Sequence, residues 1–231
     1  LRRGQETANE IWGSKASILV GDYLYTQYIQ LMVEIGNLPI MQLLTNISYE
    51  MVRGEIRQLA NRHNHALTVE EYFDVIQSKT SLLFAASSSL GAAISKTDDT
   101  VQKGLYEYGL RLGNAFQLID DALDYCSDAK TMGKNIGDDL ADGKATLPLI
   151  HALQHGTPQQ QQQIIESLEQ GTLEYLPEIL DTLAATNAIE YTRSIAAKEV
   201  DSAILALNVL PDSIYKEALI DLANYAIERD H

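Results

Sequence analysis

Gly113 to Tyr125 reads Gly-Asn-Ala-Phe-Gln-Leu-Ile-Asp-Asp-Ala-Leu-Asp-Tyr. At about 100° per residue on a helix, Gln117, Asp120, Asp121 and Asp124 fall within roughly 100° to 140° of one another, opposite an apolar face of Phe116, Ile119 and Leu123. Three acids on one stripe repel, by a few tenths of a kcal/mol even when exposed, and by more when partly buried. The arrangement therefore calls for a cation. Oxygen donors with no His or Cys nearby favour Mg²⁺, which takes one or two carboxylates and completes its shell with water and phosphate. The alternative is an acidic, solvated helix face.

Lys130, Lys134, Asp138, Asp139 and Lys144 follow, interspersed with Gly133, Gly137 and Gly143. Mixed charge on a glycine-hinged loop suits a lid that closes on a diphosphate and excludes water. Upstream, Ser78-Lys79-Thr80 lies inside a helical pattern, where a Lys either snorkels to solvent or points into a cavity as a phosphate contact. Arg2-Arg3-Gly4 read alone is a solvated end. His151 and His155 have a spacing that can hold Zn²⁺, but no third ligand is near and a surface pair is the plainer reading. His63 and His65 sit in a polar loop and read as solvated; Cys126 has no base beside it, and Asp98-Asp99 suit a helix start.

These residues need helices to place them, and apolar residues recur at helical spacing almost everywhere, with only 5 prolines in 231 residues. The pattern predicts an all-α domain with helices over 7–35, 38–62, 69–94, 99–127, 145–155, 158–169, 175–185, 187–208 and 212–229. Thr68 with Glu71 and Thr157 with Gln160 form capping boxes, and Gly36, Gly156 and Gly171 lie at stops. The glutamine run from Gln159 to Gln163 reads as a solvated helix start. A hydrophobic content of 45% supplies a core that can bury about 70% of the unfolded surface. The formal charge of −15 argues against binding nucleic acid or an anionic membrane, because both begin with attraction of phosphate to a basic surface. No apolar run is long enough to span a bilayer, and the single cysteine points to a reducing compartment, the cytoplasm.

Taken in order, Arg2-Arg3-Gly4, Gly21-Asp22-Tyr23, Gly54-Glu55, Lys79-Thr80, Phe116 to Asp124, Gly133 to Leu140 and Gly143 to Pro148 resemble the trans-isoprenyl diphosphate synthase family, most closely its long-chain polyprenyl members. The resemblance implies an antiparallel helix bundle around a deep central cavity, as a homodimer. It implies transfer of an allylic prenyl diphosphate onto isopentenyl diphosphate with Mg²⁺, making a long all-trans chain for a quinone side chain. On this resemblance Asp120 is a direct metal ligand, with Asp121 and Asp124 acting directly or through water. Arg2, Lys79 and Lys134 bind the allylic diphosphate and Arg3 the isopentenyl diphosphate. Thr80 and Gln117 lie near the reacting carbon, and Lys144 joins the substrate-binding set. Leu82, Leu83, Ala85, Ala86 and Ala92 either wall a product tunnel or pack helices tightly. The family's first aspartate-rich motif is absent from the chain. Residues 1–231 therefore read as one synthase domain lacking its N-terminal helices, inactive alone. A class I terpene cyclase and a non-catalytic partner subunit are the rival readings.

Overall fold

In the computed structural model, residues 5–126 and 136–228 are described, and every regular element among them is helical. Helix α1 (Ala8–Ile35) starts on Thr7, whose hydroxyl accepts from Glu10 N, and ends at Gly36 in the left-handed region. Asn37 caps α2 (Leu38–Ala60). The Thr68 capping box opens α3 (Val69–Ile76), which passes through a π-helical segment, Gln77–Ser81, into α4 (Leu82–Ile94). Helix α5 (Asp99–Leu123) is capped by Asp98, which accepts from Val101 N. The short α6 (Asp138–Ala141) precedes α7 (Leu147–His155) and α8 (Pro158–Gln170), the latter opened by the Thr157 capping box. The chain closes with α9 (Leu176–Ala185), α10 (Ala188–Ala206), a 3₁₀ turn (Leu207–Val209) and α11 (Ile214–Glu228).

Helix α5 is the axis of the molecule. It packs along its length against α4 on one side and α10 on the other, with α11 and α7 beside it. Its buried residues, among them Tyr108, Leu112, Ala115, Leu118 and Ile119, centre a core shared with α7 to α11. Helix α2 lies against the π-segment and α4, whereas α1, among the described residues, packs chiefly on α2 and buries Met32 alone.

Four expectations change. The stretch read as one helix over 69–94 contains the π-segment, and the helix read to 127 stops at Leu123, with a turn at Asp124 to Cys126. The glutamine run is not simply solvated: Gln161 donates to Leu153 O and Gly156 O, tying α8 back to the end of α7. His63 is no free loop residue either. Its Nδ1 lies 2.8 Å from Leu168 O, and its ring fills the space beside Gly143 that a Cβ there would need.

Candidate functional site

The site is built where α2, α3, the π-segment and α5 meet the loop after α6. In a π-segment one extra residue enters the turn, so the side chains that follow are rotated relative to a continuous α-helix. Here that segment carries Lys79 and Thr80. Two glycines let it sit between its neighbours. A Cβ on Gly54 of α2 would lie 2.7 Å from Ser78 Cβ, and one on Gly113 of α5 would lie 2.5 Å from Ser81 Cα. The π-segment is further fixed by Ser81 Oγ, which donates to Asn114 Oδ1; Asn114 donates in turn to Glu199, which Arg111 also engages. Asn114 and Ser81 are fully buried, so this network is satisfied internally.

A cavity of about 250 Å³ opens at this junction. Lys79, Gln117, Asp120, Asp121 and Lys144 all line it, so most of the described residues singled out by sequence converge on one space. Lys79 Nζ donates to Gln58 Oε1 at 2.7 Å and pairs with Glu55 at 3.2 Å, facing the cavity and an adjoining open groove. Thr80 reaches the site through Gln117, donating to its Oε1 at 3.1 Å. Gln117 Nε2 donates to Asp121 Oδ1 at 2.8 Å.

Asp121 is 3% exposed and receives a second hydrogen bond, at 2.6 Å, from the Tyr72 hydroxyl. Burial pushes its carboxyl well above the ordinary range and Asp139 and Asp120 push it further, while the bonds from Tyr72 and Gln117 pull the other way. Tyr72 is raised for the same reasons, burial first and then the Asp121 charge. Asp124 is buried and does not line the cavity. Its side chain accepts from Asp139 N at 3.2 Å and its carbonyl from Gly137 N at 3.0 Å, so it clasps the chain where α6 begins.

Lys144 Nζ pairs with Asp139 at 2.8 Å and Asp142 at 2.9 Å. Burial pulls the Lys144 ammonium down, but the two carboxylates outweigh it and hold it firmly charged. Arg62 pairs with Asp142, and His63 N donates to Gly143 O, bolting this loop to the end of α2. Arg2, Arg3, Lys130 and Lys134 lie outside the described residues. Ala85, Ala86 and Ala92 are buried among helices rather than lining the cavity, while Leu83 is exposed. His151 stacks between His155 and Tyr191, at ring distances of 4.1 Å each, with no third metal donor among the described residues.

Among the described residues no three His, Cys, Asp or Glu side chains converge to enclose a metal. The donor set still fits a hard divalent cation. Asp120, Asp121 and Asp139 line one wall, all oxygen donors, and the upward shift of Asp121, caused first by burial and then by the Asp139 charge, leaves room for a cation to favour its ionised form. Water and phosphate oxygens would supply the rest of such a shell. Sequence reasoning missed Gln58 and Tyr72. The only sign of Tyr72 was a hydroxyl-bearing residue in an apolar helical position.

A model of the polyprenyl synthetase family matches residues 1–183. The chain belongs to the polyprenyl synthetase family. Relatives in the family include the octaprenyl diphosphate synthase of Escherichia coli (strain K12), 46% identical over 231 residues, covering all of this chain and 72% of that protein. The octaprenyl diphosphate synthase of Haemophilus influenzae is 40% identical, covering all of this chain and 70% of that protein. A crystal structure of a polyprenyl synthase from Caulobacter crescentus CB15, complexed with calcium and isoprenyl diphosphate, superposes with a TM-score of 0.94 at 38% identity, covering 100% of this chain and 71% of that one. The all-α fold expected from the sequence is thus the fold of this polyprenyl synthetase and of its relatives.

Proposed function

We propose that the protein is a long-chain trans-prenyltransferase, condensing isopentenyl diphosphate with an allylic diphosphate to extend an all-trans polyprenyl diphosphate. The observation that carries this reading is the convergence of Lys79, Gln117, Asp120, Asp121 and Lys144 on one cavity, in a chain 46% identical to an octaprenyl diphosphate synthase. In the reaction the allylic C–O bond breaks and diphosphate leaves with the electron pair. The isopentenyl double bond attacks the allylic carbon, forming a C–C bond, and the proton then lost passes to the released diphosphate.

Each residue serves one of these events. Lys79 and Lys144 meet the diphosphate oxygens, where fixed cations stabilise negative charge that grows as the bond breaks. Lys134 and Arg2 assist at the allylic diphosphate and Arg3 at isopentenyl diphosphate. The Gln117 amide oxygen and the Thr80 hydroxyl present their dipoles to the allylic carbon as it becomes cationic. Asp120 and Asp121 on the cavity wall would hold Mg²⁺, which when bound would neutralise the leaving diphosphate, and Asp124, off the cavity, would act only through water. The product serves as a quinone side chain, and the active protein is a cytoplasmic homodimer. The 231-residue chain alone is inactive, because it presents one wall of carboxylates.

Incubating the full-length protein with labelled isopentenyl diphosphate and an allylic primer should give all-trans chains with many added units. Cyclised product with no label would assign it instead to the terpene cyclases, and absence of product from the purified homomer would assign it to non-catalytic subunits. Asp120→Ala should lower turnover at least about 10²-fold with folding intact, the loss of about 2.7 kcal/mol of transition-state stabilisation. Near-normal turnover in that variant, with normal Mg²⁺ dependence, would return the stripe to a solvated face.

A further inference from the structure

We propose that Tyr72 is a positioning residue of the condensation site: its hydroxyl holds Asp121, and through Asp121 it fixes the direction of the Gln117 amide. The inference rests on the reaction assigned above, in which Gln117 faces the reacting carbon.

Four groups form a directed chain. Thr80 Oγ1 donates to Gln117 Oε1, Gln117 Nε2 donates to Asp121 Oδ1, and Tyr72 OH donates to Asp121 Oδ2. Asp121 accepts at both oxygens, at Oδ1 from Gln117 and at Oδ2 from Tyr72, so the nitrogen end of the Gln117 amide faces Asp121. Its oxygen end must then point the other way, toward Thr80 and the cavity. The orientation of that oxygen depends on Asp121 staying still. The terminal torsion of an aspartate is broad and roughly two-fold, so a carboxylate held by one oxygen can swing. The Tyr72 bond at the second oxygen, 2.6 Å long, removes that freedom.

Packing alone does not account for a tyrosine here. Tyr72 is 3% exposed on the buried face of α3, and a phenylalanine would supply the same apolar area without a hydroxyl to satisfy. The hydroxyl's partner is a carboxylate 49 positions away, on the wall of the cavity that Tyr72 itself lines. The contact joins α3, which leads into the π-segment, to α5, which packs against it.

Tyr108→Phe is the control. It removes another buried tyrosine hydroxyl, the one donating to Leu219 O at 2.8 Å from the middle of α5, away from the cavity. In the full-length protein Tyr72→Phe should lower kcat about 10- to 100-fold while KM for both substrates moves less than about threefold. Tyr108→Phe should cost comparable thermal stability with kcat unchanged. If Tyr72 acts through Gln117, Tyr72→Phe combined with Gln117→Ala should be no slower than Gln117→Ala alone. A crystal structure of Tyr72→Phe should show the Gln117 oxygen turned away from Thr80. Unchanged kcat, independent and multiplying losses in the double variant, or a Gln117 that stays in place would each overturn the proposal. Should the unsubstituted protein form no prenyl product, the assigned reaction falls separately, and the position of Gln117 in the variant crystal still decides what Tyr72 does.

Discussion

Asp121 is an acid buried beside other acids, and its folded-state pKa rises from 3.8 to about 8, through burial first and the charge of Asp139 second. The sign follows from linkage: a group that binds its proton more tightly in the folded state stabilises the fold below its unfolded pKa, and that contribution is lost as pH rises through the folded value. The metal-free protein should therefore lose thermal stability between about pH 4 and 8, and Asp121→Asn should flatten this part of the curve. Added Mg²⁺ should restore stability at the alkaline end by binding the ionised folded form. Parallel melting curves for the two proteins would refute this. Lys79 gives a second prediction. Its ammonium faces the cavity and is held by Gln58 and Glu55, so Lys79→Ala should raise KM for the allylic primer and lower turnover with little change in Tm. Lys103, exposed on α5, supplies the comparison, and kinetics equal for Lys79→Ala and Lys103→Ala would leave diphosphate binding to other cations.

At the scale of elements, the π-segment depends on absent side chains more than on present ones. Gly113→Ala would drive a Cβ into the Ser81 backbone, and overpacking of this kind costs about 1–3 kcal/mol, a fall in Tm of about 2–4 °C per kcal/mol at this chain size. Turnover should fall with it, because Lys79 and Thr80 ride on the displaced segment. Gly91→Ala on α4 meets nothing within 4 Å and should be neutral or raise Tm, by up to about 1 kcal/mol in helix propensity. Equal melting points for the two variants would remove the clasp from the account. Periodicity and end signals made most helices legible beforehand: the capping boxes at Thr68 and Thr157 and the left-handed ends at Gly36 and Gly171 are all formed. The π-segment was not legible, since apolar spacing continues through it and one inserted residue leaves no compositional trace. Nor were contacts between distant positions, such as Tyr72 with Asp121 or Asn114 with Glu199, because spacing along a helix reports which face a residue occupies and not what lies across from it. The aspartate stripe was visible as a stripe; that Asp124 turns from the cavity to clasp α6 depends on where α5 ends.

Seen whole, the molecule is unevenly invested. Helix α5 buries 11 of its 25 residues, whereas α1, though 28 residues long, buries Met32 alone and is broken at Gly13, where φ is 76°. Its outer face carries Trp12, Leu19 and Leu24, each more than 60% exposed. Segments with few buried contacts open at little free-energy cost, while those at the centre open only with global unfolding. Brief protease treatment of the 231-residue chain under native conditions should therefore cut first around Gly13 and leave a resistant core from α2 onward, read by mass spectrometry. Cleavage beginning inside α5 would contradict this order. Lys79, Gln117, Asp120, Asp121 and Lys144 all lie within the resistant part, so a chain cut at Gly13 would lose Arg2 and Arg3 and still carry an assembled carboxylate wall.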